Sequence, residues 1–139
     1  MISLFCIFKI IGLNNASNLG SILGKYIGPF FRSKNIIKKN IKIGLGNLDN
    51  NQVKKIMDGM WSNIGRTIAE YVFLKEFRQD KKNINYIKIN GLNYLEQIKK
   101  NGEPVIFFSG HFGNIELIKM QLTKLDIKFA ALHRPLNNI

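Results

Sequence analysis

His111 and Glu116 are the two residues of this 139-residue chain whose types and spacing best suit catalysis. They lie in Pro104–Glu116, PVIFFSGHFGNIE, where a short apolar run ends in the small-residue turn Ser109-Gly110. An imidazole that gives one nitrogen to a carboxylate keeps the other as a base, so the pair could take a proton from a hydroxyl nucleophile. Helix geometry limits how they meet. Five residues within one α-helix is about 500° of rotation, which leaves the two side chains about 140° apart. They can face each other only if His111 sits in the loop ahead of a helix and Glu116 in its first turn. Gly110 and Gly113 permit a tight approach there, and Asn114 is a suitable N-cap. The helix N-terminus would add backbone N–H groups and positive potential, which suit a developing oxyanion. A plainer reading stands beside this one: a glutamate in a first turn favours the helix dipole whatever its neighbours do, and a histidine in a turn needs no role.

Other chemistries fit less well. Zinc wants three or four ligands, and the remaining candidates are His133 and a distant Cys6. No HExxH, no serine elbow of the G-x-S-x-G kind and no phosphate-cradling glycine loop is present. Cys6 is the single cysteine, so no intrachain disulfide can form. The 21 Lys and Arg against 9 Asp and Glu give a net charge of +12, which favours an anionic partner. No nucleic-acid motif accompanies that charge, so nucleic acid is not expected as a partner. Much of it is Lys interleaved with Ile and Asn, a pattern that an AT-rich genome also produces.

The elements that must position His111 and Glu116 read as alternating strands and helices. Ile84–Ile89 is partly alternating and β-branched, hence a strand that Asn90-Gly91 ends. Leu92, Leu95 and Ile98 suit a short helix stopping at Asn101-Gly102. Pro104 opens the strand Val105–Phe108, a helix follows over 114–125, and a further strand runs from Ile127 to Leu132. That order predicts an α/β layout with neighbouring parallel strands, one that breaks off with no helix after its last strand. Upstream, Asp49 and Gln52 fit a capping box, and Val53, Ile56, Met57, Met60, Trp61, Ile64, Ile68, Tyr71 and Val72 recur at helical spacing. A helix over 51–75 is expected, its Met and aromatic stripe in the core. Gly59 and Gly65 weaken it intrinsically, and close packing against a neighbour would explain them.

Residues 2–13 are apolar apart from Ser3 and Lys9, too short a run to span a bilayer. With the glycine-rich apolar stretch Leu19–Phe31 they read as helices lying in or against a membrane interface; two ordinary core helices are the alternative. Arg32–Lys42 carries five cations and no acid, which suits anionic headgroups or simply a solvated helix face. The expected organisation is a membrane-associating helical segment over 1–46, followed over 47–139 by part of an α/β domain.

Gly110-His111-Phe112-Gly113-Asn114-Ile115-Glu116 resembles the first motif of the lipid A biosynthesis acyltransferases, the lauroyl/myristoyl branch of the H-x4-D/E acyltransferases. There it typically reads S-G-H-x-G-N-W-E; this chain has Ile115 where Trp is common. Leu132–Asn138, LHRPLNN, resembles the next block, an aromatic before R-P-x-x-N, with His133 in the aromatic position. Trp61–Arg66 with Glu70 resembles the helix before the first strand. The resemblance implies transfer of a fatty acyl chain from acyl carrier protein, or sometimes coenzyme A, to a hydroxyl of a lipid A precursor. It makes His111 the general base, Glu116 its orienting partner, Arg134 a contact for an anionic substrate group, and Asn114 and Gly113 shapers of the turn at the substrate. It implies no metal or organic cofactor. It implies attachment, through anionic lipids, to the cytoplasmic face of a bacterial inner membrane. It also implies that this is the N-terminal part of a longer acyltransferase domain. The alternative is an inactive or split-gene fragment that only binds membrane or a partner chain.

Overall fold

The computed structural model describes residues 2–79, 87–110 and 113–132. Its longest helix begins where the sequence signals it. The Asp49 carboxylate accepts from the backbone N–H groups of Asn51 (2.8 Å) and Gln52 (2.9 Å), and the Gln52 side-chain oxygen accepts from the Asp49 N–H (3.0 Å). This reciprocal cap satisfies donors that a helix start otherwise leaves open, and contributes about 1 kcal/mol. The helix runs over Asn50–Glu70 and tightens into a 3-10 turn, Tyr71–Phe73, before a short helix, Leu74–Gln79. With these labelled α4 and α5, the preceding helices are α1 (Ile2–Ile11), α2 (Leu13–Ile27) and α3 (Lys34–Leu45). Gly12, at φ 81°, makes the break between α1 and α2. A 3-10 turn over Gly28–Phe30, with Pro29 inside it, closes α2.

These helices form one of two units, Met1–Lys82. Ile37 and Ile41 of α3 are buried with Met57 and Trp61 of α4, and Leu48, Val53, Ile56 and Met60 pack around them. The Met and aromatic stripe of α4 thus enters the core at Met57 and Trp61, as its spacing predicts. The packing of α2 on α4 rests on missing side chains. A Cβ at Gly20 would run into the Gly65 carbonyl oxygen, one at Gly24 into the Trp61 carbonyl oxygen, and one at Gly28 into the Trp61 indole. A Cβ at Gly65 would in turn strike the Gly20 carbonyl. Small residues four apart let two helix backbones touch. The seam is edged by hydrogen bonds: Ser21 Oγ to Ser62 Oγ (2.7 Å), Ser17 Oγ to Glu70 Oε1 (2.9 Å), and Arg66 Nη1 to Ser17 Oγ and Asn18 Oδ1 (both 3.1 Å). Gly65 has the packing reason the sequence suggests; Gly59 meets nothing within 4 Å.

Lys9 of α1 reaches Glu76 of α5, forming an ion pair and hydrogen bond, and its ammonium lies 5.3 Å from the centre of the Phe73 ring. The Lys9 hydrogen bond is the main reason the Glu76 carboxyl titrates below the ordinary carboxylate range. A depressed native value stabilises the fold above the unfolded value, and that contribution is lost as pH falls through the native one. Glu76→Gln is therefore expected to unfold at slightly lower urea than the parent at pH 7. The gap should narrow as pH falls through the lowered native value and the parent carboxyl also becomes neutral. Both side chains are well exposed, at 50% and 41%, so the difference at pH 7 is expected to stay under about 1 kcal/mol. Equal midpoints at pH 7 would show that the pair contributes nothing.

The second unit, Asn83–Ile139, carries α6 (Leu92–Asn101) and α7 (Glu116–Lys124). Gly102 ends α6 in a left-handed cap, as the Asn-Gly pair predicts. The α/β fold class does not hold: among the described residues all regular structure is helical, with no strand or parallel sheet. The expected strands at 87–89, 105–108 and 127–132 come near one another, but as the walls of shared clefts. One, of about 620 Å³, is lined by Pro104, Val105 and Phe107 together with Asp126–Ala130. Residues 87–90 and Phe107 line another, against α7. A strand exists only when its N–H and C=O groups pair with a neighbour. An apolar run supplies the side chains for that state, not the partner, and Ile106 and Phe108 are 81% and 93% exposed. The first part of the expected strand Ile84–Ile89 lies outside the described residues.

Candidate active site

Glu116 is the first residue of α7, which places its carboxylate in the first helical turn as the spacing argument requires. The turn before it is made by Gly113, whose φ of 66° is costly for a residue with a Cβ. Asn114 does not act as the N-cap. Its side chain makes no capping bond, and Ile115, still helical in φ and ψ, occupies that position. Backbone carbonyls do the work instead: Asn114 O accepts from the Leu117 N–H and Ile115 O from the Ile118 N–H, each at 3.2 Å. Those two N–H groups are thereby engaged, so neither is available to an oxyanion in this arrangement.

The Asn114 amide has a different character. Its Oδ1 and Nδ2 are both buried without a hydrogen-bond partner among the described residues. A buried amide left unpaired costs about 1–3 kcal/mol, which marks a position that a bound polar group would relieve.

Glu116 has a partner that sequence reading missed. Lys119 Nζ donates to Glu116 Oε1 at 2.9 Å, one turn along α7. The signal was present, since Glu and Lys three apart on a helix are neighbours. The pair leaves the second carboxylate oxygen to accept from another donor. Ahead of the turn, Ser109 Oγ donates to the adjacent Gly110 carbonyl at 3.4 Å, its one recorded hydrogen bond among the described residues.

Of the residues expected at the site, Gly113, Asn114 and Glu116 are thus brought into one tight turn and helix start. His111 lies outside the described residues, as do Phe112 and the 133–139 block with His133 and Arg134.

No curated protein and no solved structure matches the chain. A family model, bacterial lipid A biosynthesis acyltransferase, does match, over residues 1–139. A match along all of its residues, on a chain with a glycine turn leading to a glutamate-started helix, shows that this protein belongs to the bacterial lipid A biosynthesis acyltransferases.

Proposed function

We propose that the chain moves a fatty acyl group from an acyl-carrier-protein thioester to a hydroxyl of a lipid A precursor, with His111 as general base and Glu116 as the group that orients it. His111 takes the hydroxyl proton as the oxygen attacks the thioester carbonyl. The C–S bond then breaks, and the departing thiolate receives the proton from the imidazolium, so an ester and a thiol result. Glu116 accepts from the other imidazole nitrogen, which fixes the tautomer. Arg134 binds an anionic group of the acceptor through a bidentate contact. The unpaired Asn114 amide offers a polar contact to the substrate, and Gly113 keeps the turn open for its approach. The reaction takes place at the cytoplasmic face of the bacterial inner membrane, held there by the basic N-terminal segment.

The observation that carries this reading is Glu116 as the first residue of α7, behind the Gly110–Glu116 motif of the family to which the chain belongs. The test is an acyl-transfer assay on membranes expressing the chain, with a lipid A precursor and either acyl carrier protein or coenzyme A thioesters. Ester-linked label in the precursor, greater with the carrier-protein donor, is the expected result. Label from coenzyme A alone would overturn the donor. No label from either, with the chain present and folded, would overturn the reaction.

The bare apolar run ahead of the motif favours a second reading, in which the chain works only with a partner polypeptide that pairs with Val105–Phe108. Ile106 and Phe108 are almost wholly exposed there, and an apolar run that joins no strand ladder among the described residues is a ready template for strand addition.

A further inference from the structure

Within the first unit, the glycines that let α2 touch α4 also leave a hollow. Gly20, Gly24, Gly28 and Gly65 contribute no side chains, and Leu4, Phe8, Leu23, Ile27, Phe31 and Ile64 stand around them. The result is an open groove of about 190 Å³ with almost no polar surface, and Trp61 at its floor. Its rim is not covered. Phe31 is 81% exposed, and Phe30 and Tyr26, chain neighbours of the lining residues Phe31 and Ile27, are 89% and 74% exposed. A contiguous bare apolar surface marks an interaction site.

Charge identifies the occupant. The first 48 residues hold seven Lys and Arg and not one Asp or Glu. Two of those cations, Lys25 in the last turn of α2 and Arg32 directly after Phe31, are exposed and bracket the aromatic corner in sequence. A corner of aromatics with basic neighbours matches the boundary between hydrocarbon and anionic headgroups. Among the described residues no helix is long and apolar enough to cross a membrane.

We propose that this face inserts into one leaflet by Tyr26, Phe30 and Phe31, and that the α1–α2–α4 groove receives a hydrocarbon tail of an anionic phospholipid whose headgroup meets Lys25 and Arg32. The inference deepens the membrane part of the proposed function and needs no acyl transfer to test, so the two can fail separately.

Trp61 supplies the readout. It is the single tryptophan, it is 7% exposed, and it lines the groove. The full chain is mixed with vesicles of phosphatidylcholine alone, or of phosphatidylcholine with phosphatidylglycerol, each with or without bromine on the acyl chains. Bromine quenches indole emission only at close range. Trp61 emission is expected to fall with brominated chains, and more so with phosphatidylglycerol present. Phe31→Ser should abolish the quenching while the helical circular dichroism stays unchanged. The double change Lys25→Glu, Arg32→Glu should abolish the phosphatidylglycerol preference. Binding to vesicles without quenching would overturn the tail in the groove and leave surface adsorption. No vesicle binding, with an oligomer that Phe31→Ser converts to monomer, would overturn the lipid and make the face a contact between copies of the chain.

Discussion

His111→Ala is expected to lower acyl transfer by about 10²–10⁴-fold, the usual contribution of a positioned general base. The loss should fall on kcat and leave KM for the acceptor nearly unchanged, because in the proposed mechanism the imidazole acts on a proton that moves only in the transition state. Glu116 should show a graded effect. Glu116→Gln keeps an oxygen that can accept from the imidazole N–H but removes the charge that favours the imidazolium as it forms. Glu116→Ala removes both. The expected order of loss is therefore His111→Ala, then Glu116→Ala, then Glu116→Gln. Lys119 complicates the gln variant in a useful way. It donates to Glu116 Oε1, and a glutamine has a single oxygen, so in Glu116→Gln that one oxygen must accept from both Lys119 and the imidazole. Steady-state rates on membranes carrying each variant at matched expression decide the matter. An active His111→Ala protein would remove the mechanism, and equal rates for Glu116→Gln and Glu116→Ala would show that charge, not orientation, is what Glu116 provides.

The parts of the fold that were legible in the sequence are those fixed by local interactions. The capping box at Asp49 and the C-terminal stop at Gly102 both depend on residues within a few positions, and both are found. Glu116 in a first helical turn follows from the same kind of reasoning. Asn114 as a cap does not, because backbone carbonyls of the turn took the donors that its side chain was expected to satisfy. The strands failed for a different reason. Val105–Phe108 and Ile127–Leu132 have the composition of buried strands, but composition does not report whether a neighbour is hydrogen-bonded to them, and a ladder is a non-local property. The glycine seam was half legible. Gly65 suggests a close neighbour, but the matching glycines at 20, 24 and 28 sit within a stretch whose apolar composition points to a membrane interface. Their spacing of four was the sign that they face another helix. The groove they leave could not be read, because it depends on which residues surround the missing side chains.

That seam gives the second large effect, and an internal control for it. Glycine inside a helix is worse than alanine by about 0.8–1 kcal/mol, so Gly→Ala should stabilise wherever the new methyl has room. Gly59, in α4, meets nothing within 4 Å. Gly59→Ala is expected to raise stability by about 0.5–1 kcal/mol. Gly24, in α2, is the opposite case. Its Cβ would collide with the Trp61 carbonyl oxygen and lie 2.9 Å from the Gly65 Cα. Both are backbone atoms of α4, so no rotamer change relieves the contact. The helices must separate, which also loosens Ala16 and Ala69, both fully buried, and lengthens the Ser21–Ser62 hydrogen bond. Overpacking costs about 1–3 kcal/mol where side chains can yield, and a backbone-to-backbone clash belongs at the top of that range or beyond. Gly24→Ala is therefore expected to destabilise by about 2 kcal/mol even after the propensity gain is subtracted. Urea midpoints of the two variants, measured beside the parent, should move in opposite directions. A Gly24→Ala midpoint at or above that of the parent would mean that α2 and α4 do not touch through their backbones, and the groove that depends on this contact would go with it.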